Sequence, residues 1–198
     1  MPSAKKPRSS KKHTKKAISK DDIAALIAQA DPQPLGRILY LTGEVSEQSI
    51  STLISEIILC VNQNKNEPIT IVISTYGGSV DEMFALYDVM KFVPCPIYTV
   101  GLGKIMSAGV LLLTSGVKGS RLVGRHARIM VHPMLDELHG DVFQITNDLK
   151  ETQRMQKSLE DAILAETKMT AKQLETIMKA GHDSYLTPEE AVKLGIAD

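Results

Sequence analysis

PITIVISTYGGSVDEMFALYDVMKFV, residues 68–93, changes its period halfway along. The first part, 68–74, is a short apolar run rich in β-branched residues, as a strand covered on both faces requires. The last part, 79–93, has the apolar spacing of a helix, with Ser79 placed to cap it. Between them stands the pair Gly77-Gly78. One reading of the pair is a tight turn. The other is an amide donor for an oxyanion, because a glycine backbone can come close to a reacting carbonyl. A phosphate-cradling loop is disfavoured, since neither a Walker A pattern nor G-x-G-x-x-G is present.

The same alternation extends in both directions. Upstream, RILYLTG (37–43) reads as a buried strand closed by a glycine. Ser46 and Glu47 then open a helix whose apolar residues Ile50, Leu53, Ile54, Ile57, Ile58 and Val61 recur at period 3.6. NQNKNEP (62–68) is a loop. Downstream, PIYTV (96–100) is a strand, and GLGKIMSAGVLLLTSG (101–116) turns into a helix at about Ser107. RLVG (121–124) and RIMVH (128–132) are short strands. Residues 141–167 form the longest helical segment. A further helix spans 170–181, with Thr170 as cap and Gly181 at its end. The last helix carries Thr187 as N-cap, Pro188 at N1, Glu190 completing a capping box, and Gly195 as its stop. Strand and helix in alternation predict an α/β fold with a largely parallel sheet. Such sheets hold ligands at the carboxyl ends of their strands, which singles out YGGS (76–79) and GLGKIMS (101–107).

Composition sets the outer bounds. The chain has 198 residues, 43% hydrophobic and 23% charged, which is a globular balance and enough for one domain. Tryptophan is absent and aromatics make up 4%, so base-stacking platforms are scarce and nucleic acid is not an expected partner. The formal net charge of zero hides an asymmetry. Residues 1–20 hold eight lysines and arginines and no acid, while 21–198 hold the remaining fifteen basic residues against all 23 acidic ones. The arm 1–20 reads as a solvated basic tail, with acidic protein, membrane surface or nucleic acid as the alternatives. It lacks the apolar core of a secretory signal, and no apolar stretch is long enough to span a bilayer. Asp21 or Asp22 caps a short helix through Ile23, Leu26 and Ile27, ended by Asp31-Pro32. Cys60 and Cys95 have no metal-like spacing and are expected as reduced thiols in a cytosolic compartment.

By local pattern Ser107 is first a helix cap, since it stands at a strand-to-helix turn. Gly103, Ala108 and Gly109 around it leave room for a substrate and aim helix amides outward, which suits a nucleophile. A serine nucleophile needs a base, and the base an orienting carboxylate. Of five histidines, His132 alone ends an apolar strand on the binding edge of the sheet. It reads either as a general base or as a core histidine bonded to backbone. His182-Asp183 follows the penultimate helix.

Four segments together carry a resemblance. STYGGSVDEMFALYDVMKF is similar to the SPGG-containing segment of the Clp-type serine peptidases. GKIMSAGVLLLTSGVKGSR resembles their nucleophile segment, RIMVHPML their histidine segment, and HDSYLTPEEAVKLGIAD their final aspartate segment. The match runs from about Ile38 to Asp198. It implies Ser107 as nucleophile, His132 as base and Asp183 as orienting carboxylate. It further implies oxyanion-hole amides at Gly78 and Ala108, and substrate contacts at Gly77 and Pro133. The implied fold is a crotonase-like ββα superhelix with a head (21–132 and 168–198) and a protruding handle (about 133–167). The implied assembly is a heptameric ring, paired as a tetradecamer, that encloses a chamber fed with unfolded polypeptide by an AAA+ unfoldase. ATP is used by that partner, and the peptidase itself needs no metal and no cofactor. A non-catalytic structural subunit of a mixed ring is the alternative. The implied location is cytoplasmic, in a phage host's cytoplasm or in a plastid stroma for a divergent member.

Departures from the family pattern bear on partners. The basic arm replaces the family's axial hairpin, either as a removable propeptide or as a permanent gate. Thr70 and Val72 stand where aromatics usually help form the unfoldase cleft, although Phe92 keeps one. Asp136-Glu137 replaces a Gly-Gly pair, and these charges are expected to disfavour acidic peptides and stiffen a strand there. His182 replaces an arginine that pairs across rings. Lys104, Ile105 and Met106 replace glutamine and small residues.

Overall fold

The computed structural model describes residues 36–198, so the basic arm and the helix expected at 23–27 lie outside the described residues. Six strands form one sheet in the order β1 (Ile38–Val45), β2 (Ile69–Gly78), β3 (Ile97–Met106), β5 (Arg128–Val131) and β6 (Ser184–Leu186). β4 (Arg121–Val123) also pairs with β3. The two short strands divide β3 between them: Thr99–Gly101 run beside β4, and Lys104–Met106 run beside β5. All pairings are parallel except β5 with β6.

One face of the sheet carries the core. Leu39, Leu41, Ile69, Ile71, Ile73, Ile97 and Ile105 are buried there. They pack against α1 (Glu47–Gln63), α2 (Val80–Phe92) and α3 (Ala108–Thr114). α1 buries Ile50, Leu53, Ile57 and Cys60, and Ser46 caps it through the Ser49 amide. Ile58, on the edge of the predicted apolar face, is instead half exposed. All seven residues of α3 are buried. That explains why LLLT carries no polar face: a helix apolar all round belongs inside.

The opposite face is open along β1, correcting the expectation of a buried strand. Ile38 and Tyr40 are 56% and 63% exposed while Leu39 and Leu41 are buried, the alternation of a one-sided strand. The register sets Tyr40 beside Val72, Val72 beside Val100, and Val100 beside Leu122. This row is the outer face of the sheet.

Past the sheet, α4 (Val142–Glu166) is capped by Asp141, which accepts from the amides of Phe143 and Gln144. At 25 residues it is about 37 Å long. Only Leu159, Ile163 and Glu166, all in its final turns, are buried, so most of the helix protrudes from the sheet as a handle. α5 (Ala171–Met178) and α6 (Pro188–Leu194) complete the fold, each opened by a capping box. Gly195 ends α6 at φ 74, as its sequence position predicts. α5 ends at Lys179, so Gly181 lies two residues past its C-cap. Arg121, 2% exposed, locks the handle's last turn to the end of the chain. It pairs with the Asp198 carboxylate at 2.6 Å and donates to the Glu166 carbonyl at 2.7 Å. Glu166 in turn accepts from the Tyr87 hydroxyl and pairs with Lys91 of α2. Cys60 and Cys95 are buried free thiols, and burial pushes the Cys60 thiol up.

Candidate active site

Ser107 is the joint between β3 and α3. Its φ of 53° is positive, unique among the described non-glycine residues. A side chain in that region carries strain of about 1–3 kcal/mol, held only where surrounding structure dictates it. Here the Ser107 amide donates to the Met130 carbonyl of β5 at 2.9 Å, and its own carbonyl accepts from Val110. The cap reading fails: the Ser107 side chain makes no capping hydrogen bond. The hydroxyl is therefore not engaged by its own helix.

The glycine pair ends β2 rather than forming a separate turn. β1 and β2 each shift register just before this end, between Thr42 and Glu44 and between Ile73 and Thr75. Both glycines have positive φ, 106° and 148°. A Cβ at Gly77 would lie 2.6 Å from the Ser107 Cβ, so only glycine lets this backbone back onto the serine. A Cβ at Gly78 would lie 2.2 Å from the Val45 carbonyl oxygen. Buried Thr75, which the sequence did not single out, accepts the Gly77 amide through its hydroxyl at 2.9 Å. That amide is thereby already engaged within the fold. The methyl of Thr75 also packs where a side chain at position 109 would sit, which explains Gly109.

Ser107, His132 and Asp183 line one cavity of about 500 Å3, together with Gly78, Ala108 and Pro133. The three side chains come from separate elements: the β3–α3 joint, the end of β5, and the residue before β6. Antiparallel pairing of Val131 with Ser184 brings the last two together. Gly77 does not line the cavity but backs Ser107. No hydrogen bond joins the three side chains to one another among the described residues; the backbone carbonyl of Asp183 lies 3.1 Å from the His182 ring. Catalytic hydrogen bonds in unliganded enzymes are commonly long until substrate binds. Ala108 is the first residue of α3, where helix amides lack an intrahelical acceptor.

The cavity floor is apolar, with Met83, Val110, Leu159 and Ile163, none of which the sequence pattern marks as more than core. Its rim includes Tyr76, Arg128 and Tyr185, also missed from sequence. Asp136 and Glu137 do not line it. The backbone over 132–139 forms no strand, and Asp136 accepts instead from the Thr152 hydroxyl on α4. The charged side chains that line it are Arg128 and Asp183, with His132. Among the described residues no cluster of three or more His, Cys, Asp or Glu could hold a metal, and no helix is long and apolar enough to cross a membrane.

The family model described as Clp protease matches residues 33–198. The chain is 32% identical over 163 residues to the ATP-dependent Clp protease proteolytic subunit 1 of Bifidobacterium longum (strain NCC 2705), covering 82% of this chain and 69% of that one.

Proposed function

The chain belongs to the Clp protease family, and from that premise we propose that it is a serine endopeptidase subunit with Ser107, His132 and Asp183 as its triad. The observation that carries this reading is the convergence of these three side chains on one cavity, with Ser107 held at positive φ and free of a capping role. In this mechanism the His132 ring takes the Ser107 proton as the hydroxyl oxygen attacks a peptide carbonyl, and Asp183 holds the ring and offsets its positive charge. The amides of Gly78 and Ala108 receive the oxyanion; the engagement of the Gly77 amide by Thr75 supports Gly78 as the donor of the pair. His132 then protonates the leaving amine, and water hydrolyses the acyl-enzyme. No metal or organic cofactor takes part. Removing one oxyanion donor costs about 3 kcal/mol of the barrier.

The apolar floor suits an apolar substrate side chain next to the scissile bond, and Pro133 shapes the wall beside it, while Gly77 acts from behind Ser107. The assembly is a heptameric ring, paired through the handle α4 into a chamber that admits unfolded polypeptide. A Clp-type AAA+ unfoldase is the ATP-using partner. The row Tyr40, Val72, Val100 and Leu122 and the 90% exposed Phe92 are apolar surface open to such a partner, although Thr70 and Val72 lack the usual aromatics. The location is cytoplasmic, including that of a phage host, or a plastid stroma.

The purified chain is expected to hydrolyse a small fluorogenic peptide with an apolar residue before the cleaved bond. Ser107→Ala, His132→Ala and Asp183→Asn are each expected to lower kcat at least about a thousandfold. The lack of a hydrogen bond among the three side chains favours a second reading, a non-catalytic subunit of a mixed ring. Under that reading the pure protein cleaves nothing and gains activity only with a partner chain, whether or not Ser107 is present.

A further inference from the structure

Two cations stand on neighbouring strands beside the cleft, and neither is ion-paired among the described residues. Lys104 on β3 and Arg128 on β5 are register partners in a parallel pairing, so their side chains leave the same face of the sheet. Met106 and Met130, two residues on, share that face and line the cavity. Each cation rests on an aromatic ring: the Lys104 ammonium lies 4.9 Å from the centre of Tyr76, and the Arg128 guanidinium lies 5.4 Å from the centre of Tyr185. Tyr76, Arg128 and Tyr185 all line the cavity. Among the described residues neither cation has a carboxylate within 4.0 Å. Adjacent like charges on neighbouring strands repel. The row Tyr76–Lys104–Arg128–Tyr185, spanning β2, β3, β5 and β6, thus sets two positive charges on neighbouring strands, each resting on the ring to its outer side and leaving the face between them to an anion.

Resting on the peptidase reading above, we propose that this row is a specificity element that binds an acidic side chain of the polypeptide substrate. Lys104 is three residues before Ser107 on the strand, about 10 Å at the usual rise. An extended peptide covers that distance in about three residues, so the acidic residue lies about three positions from the scissile bond. The apolar floor reads the side chain at the bond itself. The two requirements are independent, because Arg128 on the rim and Lys104 beside it stand apart from the apolar floor.

The test measures binding and cleavage separately. Labelled peptides with a fixed apolar residue before the scissile bond carry Asp, Asn or Lys at each position up to four residues either side. Their affinity for the full-length Ser107→Ala protein is read by fluorescence anisotropy at low and high salt, and their cleavage is followed with the unaltered protein. At low salt the Asp peptide is expected to bind about fivefold tighter than the Asn peptide at one position about three residues away, and the Lys peptide more weakly than either. Lys104→Gln and Arg128→Gln, added to Ser107→Ala, are each expected to shrink the Asp preference, and both together to erase it. Lys65→Gln in the exposed loop after α1 is expected to leave it. Thermal melting of every variant confirms that it is folded. Equal affinities for Asp, Asn and Lys peptides at every position overturn the proposal, as does a preference that survives the double change. Preferential binding without any cleavage by the unaltered protein upholds the specificity element and refutes the peptidase reading. Cleavage without preference does the reverse.

Discussion

Gly77 and Gly78 are adjacent and chemically identical, yet alanine is expected to act differently at each. At Gly77 the new methyl would press on Ser107 itself, 2.6 Å from its Cβ. Gly77→Ala is therefore expected to lower kcat about a hundredfold, a displacement effect at the nucleophile, with a stability loss of about 1–3 kcal/mol from overpacking. At Gly78 the methyl would meet backbone, 2.2 Å from the Val45 oxygen, which no side-chain rotation can relieve. Gly78→Ala is expected to be the more destabilising of the two; denaturant melts beside peptide hydrolysis separate them. The importance of the pair was legible in the sequence, since two glycines between a strand and a helix demand an explanation. Which neighbour each one touches was not legible, because the contacts with Ser107 and Val45 come from chain segments about thirty residues away. Ser107 itself was misread locally. Position at a strand–helix joint predicts a cap, whereas a positive φ and the bond of its amide to Met130 depend on β5, which the local pattern does not contain.

At the scale of elements, the strongly periodic helices and their caps were readable. Ser46, Ser79, Thr170 and Thr187 all cap as their positions predict. Strand ends were not. PIYTV runs on as β3 to Met106, through two glycines that would ordinarily punctuate a strand, because β5 supplies a partner for the added residues. β6 is three residues long and exists by pairing with β5, so its sequence carries no period to detect. The handle joins α2 through the Glu166 carboxylate, and the junction has its own chemistry. Burial, together with the Glu166 carboxylate it donates to, pushes the Tyr87 hydroxyl up to about 12. The folded pKa is raised, so this contribution to stability is complete below the unfolded value of about 10 and is lost as pH rises through about 12. Tyr87→Phe is expected to cost about 1 kcal/mol at neutral pH and to flatten the alkaline limb of a stability–pH curve measured by urea unfolding.

For the whole molecule, Arg121 and Asp198 close the fold by tying β4 and the handle to the final residue. The Arg121 guanidinium, with the amides of Gly119 and Arg121, holds the Asp198 carboxyl far below the usual carboxylate range. Its stabilising effect is present above the unfolded pKa of about 4 and is lost as pH falls below that toward the depressed folded value. Asp198→Asn leaves the buried guanidinium without its counter-charge and is expected to cost about 3 kcal/mol at pH 7, with much less effect at pH 2. Native mass spectrometry of the full chain is expected to report multiples of seven subunits; a monomer at micromolar concentration would count against a ring. The α/β class and the four segments that resemble Clp peptidases were visible in the sequence because they are local. The cavity that unites them arises only when β3, β5 and β6 are laid side by side. The central claim is that this cavity activates Ser107, and a fluorophosphonate probe followed by peptide mapping tests it most directly. One adduct per chain on Ser107, absent from Ser107→Ala and slowed at least about a hundredfold by His132→Ala, is the predicted result. An adduct on another residue, or labelling that persists in Ser107→Ala, would contradict it.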